Sequence, residues 1–173
     1  MGKSSLINFL TNRKKLAKTS AYPGKTLCIN HYLINDEWYL VDLPGYGYAK
    51  TGRKKKDELM KIISDYILKR EMLACLFVLL DSRHEPQEND VQFITWLGIN
   101  EIPFVLVFTK TDKVGPGQFE KNKKRYESLL LQSWISLPQI FASSVLKKTG
   151  REDILGFIEQ TNRELKKATG STS

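Results

Sequence analysis

Cysteine is scarce: the 173 residues hold two, Cys28 and Cys75. Each lies in an apolar, strand-like run. Two thiols placed so build neither a disulfide framework nor a clustered metal site, and a reducing cytoplasm is the simple reading. Long hydrophobic runs are missing as well. No apolar stretch approaches the ~20 residues a membrane helix needs. Lys3 and the run Arg13 to Lys15 interrupt the segment where a secretory signal would be apolar. Histidine is limited to His31 and His84, and nothing pairs either with a base or a metal. Acid is short relative to base, 19 Asp and Glu against 27 Lys and Arg, for a net charge of +8. The bases cluster at Arg13-Lys14-Lys15-Lys18, Arg53 to Lys56, Lys121-Lys123-Lys124-Arg125 and Lys147-Lys148. Any one cluster reads equally well as a solvated face. Several in one small domain fit a polyanion, RNA or an RNA-containing particle. No internal repeat and no second domain is visible.

Strand-like runs are CINHYLI (28–34), EWYLVDL (37–43), ACLFVLLD (74–81), FVLVFT (104–109) and QIFASS (139–144). The third and fourth are continuously apolar, as strands buried on both faces are. Helical stripes lie between them. Leu59, Ile62, Ile63, Tyr66 and Ile67 recur at i, i+3, i+4, i+7 and i+8. Shorter stripes are Phe93-Trp96-Leu97, Tyr126-Leu129-Leu130 and Ile154-Leu155-Ile158, with Leu6, Ile7 and Leu10 near the start. Trp38, Trp96 and Trp134 read as packing residues. The alternation predicts an α/β fold, a mostly parallel sheet with helices on both faces. Only Asn35-Asp36 separate the first two runs, which predicts a hairpin and so one antiparallel edge strand. Residues 1–167 read as one domain and 168–173 as a disordered tail.

Gly2-Lys3-Ser4 alone is weak evidence, because tripeptides recur by chance. An ordered set gives it weight. Thr26 follows in the irregular stretch SAYPGKT, Asp42-Leu43-Pro44-Gly45 ends a strand, Thr109-Lys110-Thr111-Asp112 ends another, and Ser143-Ser144 ends the last. Open α/β sheets bind ligands at such strand ends. Backbone N–H groups of Gly2 to Ser5 at a helix start would hold phosphate oxygens. Lys3 would reach the β- and γ-phosphates, and the Ser4 hydroxyl would face Mg²⁺. Mg²⁺ keeps several waters; Asp42 would hold one, and Thr26 would add an oxygen. Gly45, lacking a side chain, lets its N–H approach the γ-phosphate. The two Asp112 oxygens match the N1–H and 2-amino donors of guanine, a pair that adenine lacks. The Lys110 stem would pack on the base or on the phosphate loop, and the Ser143-Ser144 backbone would meet the guanine carbonyl. Singly, Asp42 also reads as a solvated strand end and Asp112 as a helix cap.

The motifs GKSSLIN, YPGKT followed by IN, DLPGYGYA, TKTD and SSVLKKTG occur in the order of one known family. The chain resembles the EngB (YihA/YsxC) family of bacterial GTPases involved in ribosome assembly, from Gly2 to about residue 160. DLPGYGYA is the most diagnostic piece. The resemblance implies a Ras-like P-loop GTPase fold, Mg²⁺-dependent GTP and GDP binding, slow hydrolysis, and association with the large ribosomal subunit. A cytoplasmic monomer is expected.

Two features depart from a complete Ras-like domain. The residue after D-x-x-G, where such enzymes place a water-orienting Gln, is Tyr46, read as a hydrophobic anchor, so turnover should be slow. The resemblance also raises K⁺, held partly by a phosphate-loop Asn; that Asn would lie upstream of Met1. The sequence further has no candidate for the central first strand, expected between EWYLVDL and ACLFVLLD. Leaving ~5 net hydrogen bonds unmade on each side, at ~1 kcal/mol each, rivals a domain stability of ~5–15 kcal/mol. The native protein is therefore expected to begin further upstream. The rival readings are a P-loop ATPase or kinase, which Asp112 opposes, and a hydrolysis-incompetent RNA- or ribosome-binding fragment.

Overall fold

The computed structural model describes residues 2–17, 28–46 and 53–170. Its elements are α1 (Lys3–Leu10), β1 (Asn30–Ile34), β2 (Trp38–Asp42), α2 (Arg53–Lys69), β3 (Leu76–Asp81), α3 (Glu88–Ile99), β4 (Phe104–Thr109), a 3-10 turn (Thr111–Lys113), α4 (Pro116–Leu130), β5 (Ile140–Ala142) and α5 (Arg151–Ala168). Each expected strand and helix is present. β4 spans its whole apolar run, and the other four strands are shorter than the runs that marked them.

β3, β4 and β5 form a parallel sheet in that order, and β1 pairs antiparallel with β2. Successive β4 side chains point to opposite faces, and each face meets helices. Leu106 and Phe108 join Val78 and Leu80 in a core with Ile63, Phe93 and Tyr126 from α2, α3 and α4. Val105 and Val107 join Phe141, Leu6 of α1 and Ile154 of α5 in a second core. Helices therefore cover both faces, as the alternation predicted.

The hairpin differs in one detail. Its turn has three residues, Asn35 to Glu37, because Ile34 pairs with Trp38 and the Glu37 N–H donates to the Ile34 carbonyl at 3.0 Å. Asn35 and Asp36 adopt φ of 51° and 56°, which their short polar side chains tolerate. At the C-terminus α5 runs through Ala168, and the Thr169 N–H returns to the Leu165 carbonyl at 2.9 Å. Gly170, at φ 69°, supplies the left-handed end, so helix geometry extends past the expected limit of order at residue 167.

Among the described residues, β2 and β3 each have one unpaired edge. Between these edges runs a groove of about 570 Å³, lined by Leu40 and Val41 of β2, Phe77 and Leu79 of β3, Leu6 of α1 and Phe157 of α5. The edge also explains a burial contrast. From Val105 to Thr109, β4 is buried throughout, whereas β3 alternates buried and half-buried positions.

Arg151 ties α1 to α5. Its Nε and Nη2 donate to the carbonyls of Phe9 and Leu10, both at 2.9 Å, satisfying acceptors that a helix end leaves open. Arg151→Ala strands the Leu10 carbonyl, leaves that of Phe9 only the Asn12 N–H at 3.3 Å, and should lower stability by about 1–2 kcal/mol, a drop in Tm of about 2–8 °C. Thermal unfolding followed by circular dichroism checks this; an unchanged midpoint would mean that water serves those carbonyls equally well.

Candidate functional site

The polar residues singled out from sequence gather at the C-terminal ends of β2, β4 and β5. Gly2 precedes α1, and its carbonyl accepts the Leu6 N–H at 2.8 Å. No acidic side chain occupies the first turn of α1, so the partial positive charge of the helix start is not offset locally. Lys3 sits in that turn and forms an ion pair with Asp42, the last residue of β2. Asp42 is only 6% exposed. Ser4 is half-buried and Ser5 exposed in the same turn, while Pro44 and Gly45 are buried directly after the strand.

The second half of the site is built from β4 and β5. Thr109 ends β4 buried, its hydroxyl donating to the Leu80 carbonyl at 3.1 Å; its own carbonyl accepts the Ser82 hydroxyl at 2.8 Å. The Thr109 hydroxyl thus braces β4 against β3. Asp112, in the following 3-10 turn, accepts the Ser144 hydroxyl at 2.6 Å. That hydrogen bond comes first among the influences that hold the Asp112 carboxyl below its usual range. Ser144 also exchanges backbone hydrogen bonds with Thr149, at 3.0 and 3.2 Å, closing the loop after β5. The Ser143 N–H donates to the Phe108 carbonyl at 2.8 Å, and its hydroxyl reaches the Thr149 carbonyl at 3.4 Å. The Ser143-Ser144 loop and the Asp112 turn are therefore one hydrogen-bonded unit.

Lys110 links the two halves. Its backbone is left-handed at φ 59°, and its Cε lies 3.8 Å from the point where a Cβ on Gly2 would stand. The stem thus lies against the start of α1. Its Nζ donates to Asp81 at 2.8 Å. Sequence reasoning passed over Asp81 and its other partner, Arg83. The available signal was an acid at the end of a continuously apolar strand.

Tyr46 matches the hydrophobic anchor expected of it. Its ring stacks on Phe93 of α3 with centroids 4.3 Å apart, and its enclosed hydroxyl makes no hydrogen bond among the described residues. Burial, with Asp90 nearby, pushes the phenol far above its ordinary range, so this group carries no charge near neutral pH. Thr26 and the stretch SAYPGKT lie outside the described residues. Asn8 holds the chain that leads toward them, donating to the Ala17 carbonyl at 2.9 Å and accepting its N–H at 2.8 Å.

A helix that starts at a glycine beside the strand ends, with its first lysine turned onto the neighbouring strand's aspartate, belongs to the P-loop GTPase fold. Solved structures agree on that fold. A crystal structure of a probable GTP-binding protein engB superposes with a TM-score of 0.72 at 20% identity, covering 94% of each chain. Era in complex with MgGDPNP and nucleotides 1506–1542 of 16S ribosomal RNA gives 0.69 at 19%, over 92% of this chain and 52% of that one. The family described as 50S ribosome-binding GTPase matches residues 1–110. The probable GTP-binding protein EngB of Phocaeicola vulgatus is 55% identical over 166 residues, 96% of this chain and 83% of that protein. The one of Porphyromonas gingivalis is 54% identical over 165 residues, 95% and 82%. The chain belongs to the EngB family of GTP-binding proteins. No helix among the described residues is long and apolar enough to cross a membrane.

Proposed function

We propose that this chain is a guanine-nucleotide switch in assembly of the large ribosomal subunit, with slow intrinsic GTP hydrolysis in the cytoplasm. The observation that carries the nucleotide reading is the joined pair of half-sites. Lys3 and Asp42 stand at one end, Asp112 and Ser144 at the other, and Lys110 spans between them. Family membership supports the rest.

In this reading the N–H groups of Gly2 to Ser5 bind phosphate oxygens, with Lys3 leaving Asp42 for the β- and γ-phosphates. Gly45 approaches the γ-phosphate. Asp112 accepts from the guanine N1–H and 2-amino groups, and the Ser143-Ser144 backbone meets its carbonyl. A buried carboxylate at the end of β2, paired with a lysine whose next residue is Ser4, suits a hard cation that keeps its waters. Ser4 and Asp42, the latter through water, would hold Mg²⁺, with Thr26 adding an oxygen; the ion would neutralise phosphate charge. Tyr46 lacks a side-chain amide to orient water, which supports slow turnover. GTP would order the segments around Thr26 and Gly45, and hydrolysis would release them. The ribosomal partner rests on the family and on the basic surface; exposed lysines at 147 and 148 flank the base end of the site.

A second reading, an RNA-binding fragment without nucleotide dependence, draws on the open groove, which reaches Lys3 and Asp42. Fluorescent GDP titrated into the chain with Mg²⁺ separates the two. The expected result is micromolar binding, displaced by GDP at least about a hundredfold better than by ADP, since a site built around two donors rejects a base lacking them. Equal displacement by ADP would sink the guanine reading. RNA binding with no nucleotide binding would favour the fragment.

A further inference from the structure

We propose that Asp81 is a positioning residue of this site, holding Lys110 across the phosphate loop before nucleotide arrives. The inference rests on the guanine-nucleotide reading above and extends it to a strand end outside the recognised motifs.

Asp81 is the last residue of β3, and its side chain is 11% exposed. Both of its oxygens are engaged. Oδ2 accepts Lys110 Nζ and Arg83 Nη2, each at 2.8 Å. Oδ1 accepts Arg83 Nε at 2.8 Å and the Arg83 backbone N–H at 3.2 Å. Arg83 thus grips the carboxylate with its planar fork, and its rigid donors fix the direction in which Oδ2 faces Lys110. Burial raises the Asp81 carboxyl, but the hydrogen bonds from Arg83 and Lys110 outweigh it and hold the group well below the usual range. The clamp stays anionic throughout the physiological range.

Lys110 needs such a clamp. It has a flexible four-carbon stem, and fixing it costs rotamer entropy. Here the stem is fixed at both ends. Its backbone is set by the left-handed turn, in which the Lys113 N–H donates to the Lys110 carbonyl at 2.9 Å. Its ammonium is set by Asp81, and between them Cε lies over Gly2. A base then stacks on an ordered stem instead of ordering it on arrival, and such preorganisation appears as affinity.

Fluorescent GDP binding by wild type, Asp81→Asn, Lys110→Ala and the double variant tests this. Asp81→Asn should weaken GDP about tenfold in the wild-type background and less than twofold in Lys110→Ala, because the carboxylate acts through that lysine. A structural role alone would give the same loss in both backgrounds, and that result overturns the proposal, as does unchanged affinity of Asp81→Asn. Without nucleotide, acetylation of Lys110 read by mass spectrometry should rise at least threefold in Asp81→Asn. Should Asp81→Asn fail to fold, the half-exposed Arg83→Gln decides: about threefold weaker GDP binding supports the clamp, and wild-type affinity overturns it. A wild type that binds no GDP overturns the guanine reading itself, whereas a binding wild type with an indifferent Asp81→Asn overturns only the clamp.

Discussion

Asp112→Asn is expected to abolish tight GDP binding and to create xanthine-nucleotide binding in its place. Guanine presents N1–H and a 2-amino group, two donors; xanthine keeps N1–H but carries a carbonyl at position 2. A carboxylate accepts both guanine donors, and an amide pairs one acceptor with one donor. The charge-assisted bond to the 2-amino group, at roughly 1.5–3 kcal/mol, gives way to two donors facing each other, and the bond to N1–H loses its charge assistance; together these put the loss of GDP affinity at about 10² to 10⁴-fold. The substitution leaves the scaffold intact. The Ser144 hydroxyl, 2.6 Å from Oδ1, donates as well to an amide oxygen, whose second lone pair serves N1–H. Thermal midpoints of variant and wild type should therefore nearly coincide. Competition by GDP and by xanthosine diphosphate reads the switch, and a variant retaining GDP within tenfold would show that Asp112 does not face the base. A related expectation concerns pH. The Asp112 carboxyl is held below its usual range, so it remains the required anion on acidification. GDP binding through it should hold until pH falls beneath the ordinary carboxylate range.

Gly150→Ala should be among the most damaging single substitutions in the chain, and Gly156→Ala, on the same helix, should be harmless. Gly150 caps α5 with φ 78°, and a Cβ there would stand 2.0 Å from the Ala142 carbonyl oxygen, a backbone atom at the end of β5. A left-handed residue costs an L side chain energy even in open space; here the backbone itself must move. The loop from Ser143 to Thr149 lies between these two points, so relief displaces Ser144 from Asp112. A loss on the order of 3–5 kcal/mol of stability and of GDP binding is expected. At Gly156 nothing lies within 4 Å of the added carbon, and alanine in a helix interior stabilises by about 0.5–1 kcal/mol. Denaturant midpoints of the two variants, measured together, check both signs. A Gly150→Ala protein as stable as wild type would mean that α5 can slide away from β5.

The fold was legible where local pattern and burial agree. The apolar runs at 74–81 and 104–109 became parallel β3 and β4, and Leu59, Ile63 and Ile67 of the expected stripe became the buried face of α2, whereas Ile62 of the same stripe is exposed. The hairpin type was legible, but not its third turn residue, because Glu37 has no special backbone demand and only the Ile34–Trp38 pairing reveals it. Of the site residues, Lys3, Asp42, Lys110, Asp112 and Ser144 were readable as motif members. Their contacts were not: Ser144 lies 32 residues beyond Asp112, and Lys110 lies 29 beyond Asp81.

The sequence by itself determined the motif residues and the strand ends on which they stand, because hydrophobic periodicity sets strands and helices, and motif spacing survives without coordinates. It also determined family membership. Tertiary structure alone decided which side chains meet. It turned the Thr109 hydroxyl inward to brace β3, seated Tyr46 on Phe93, and closed Asp81 around Lys110. The physical reason is that periodicity records which face of an element is buried, whereas a hydrogen bond needs two groups within about 3 Å, a distance set by how separate elements pack.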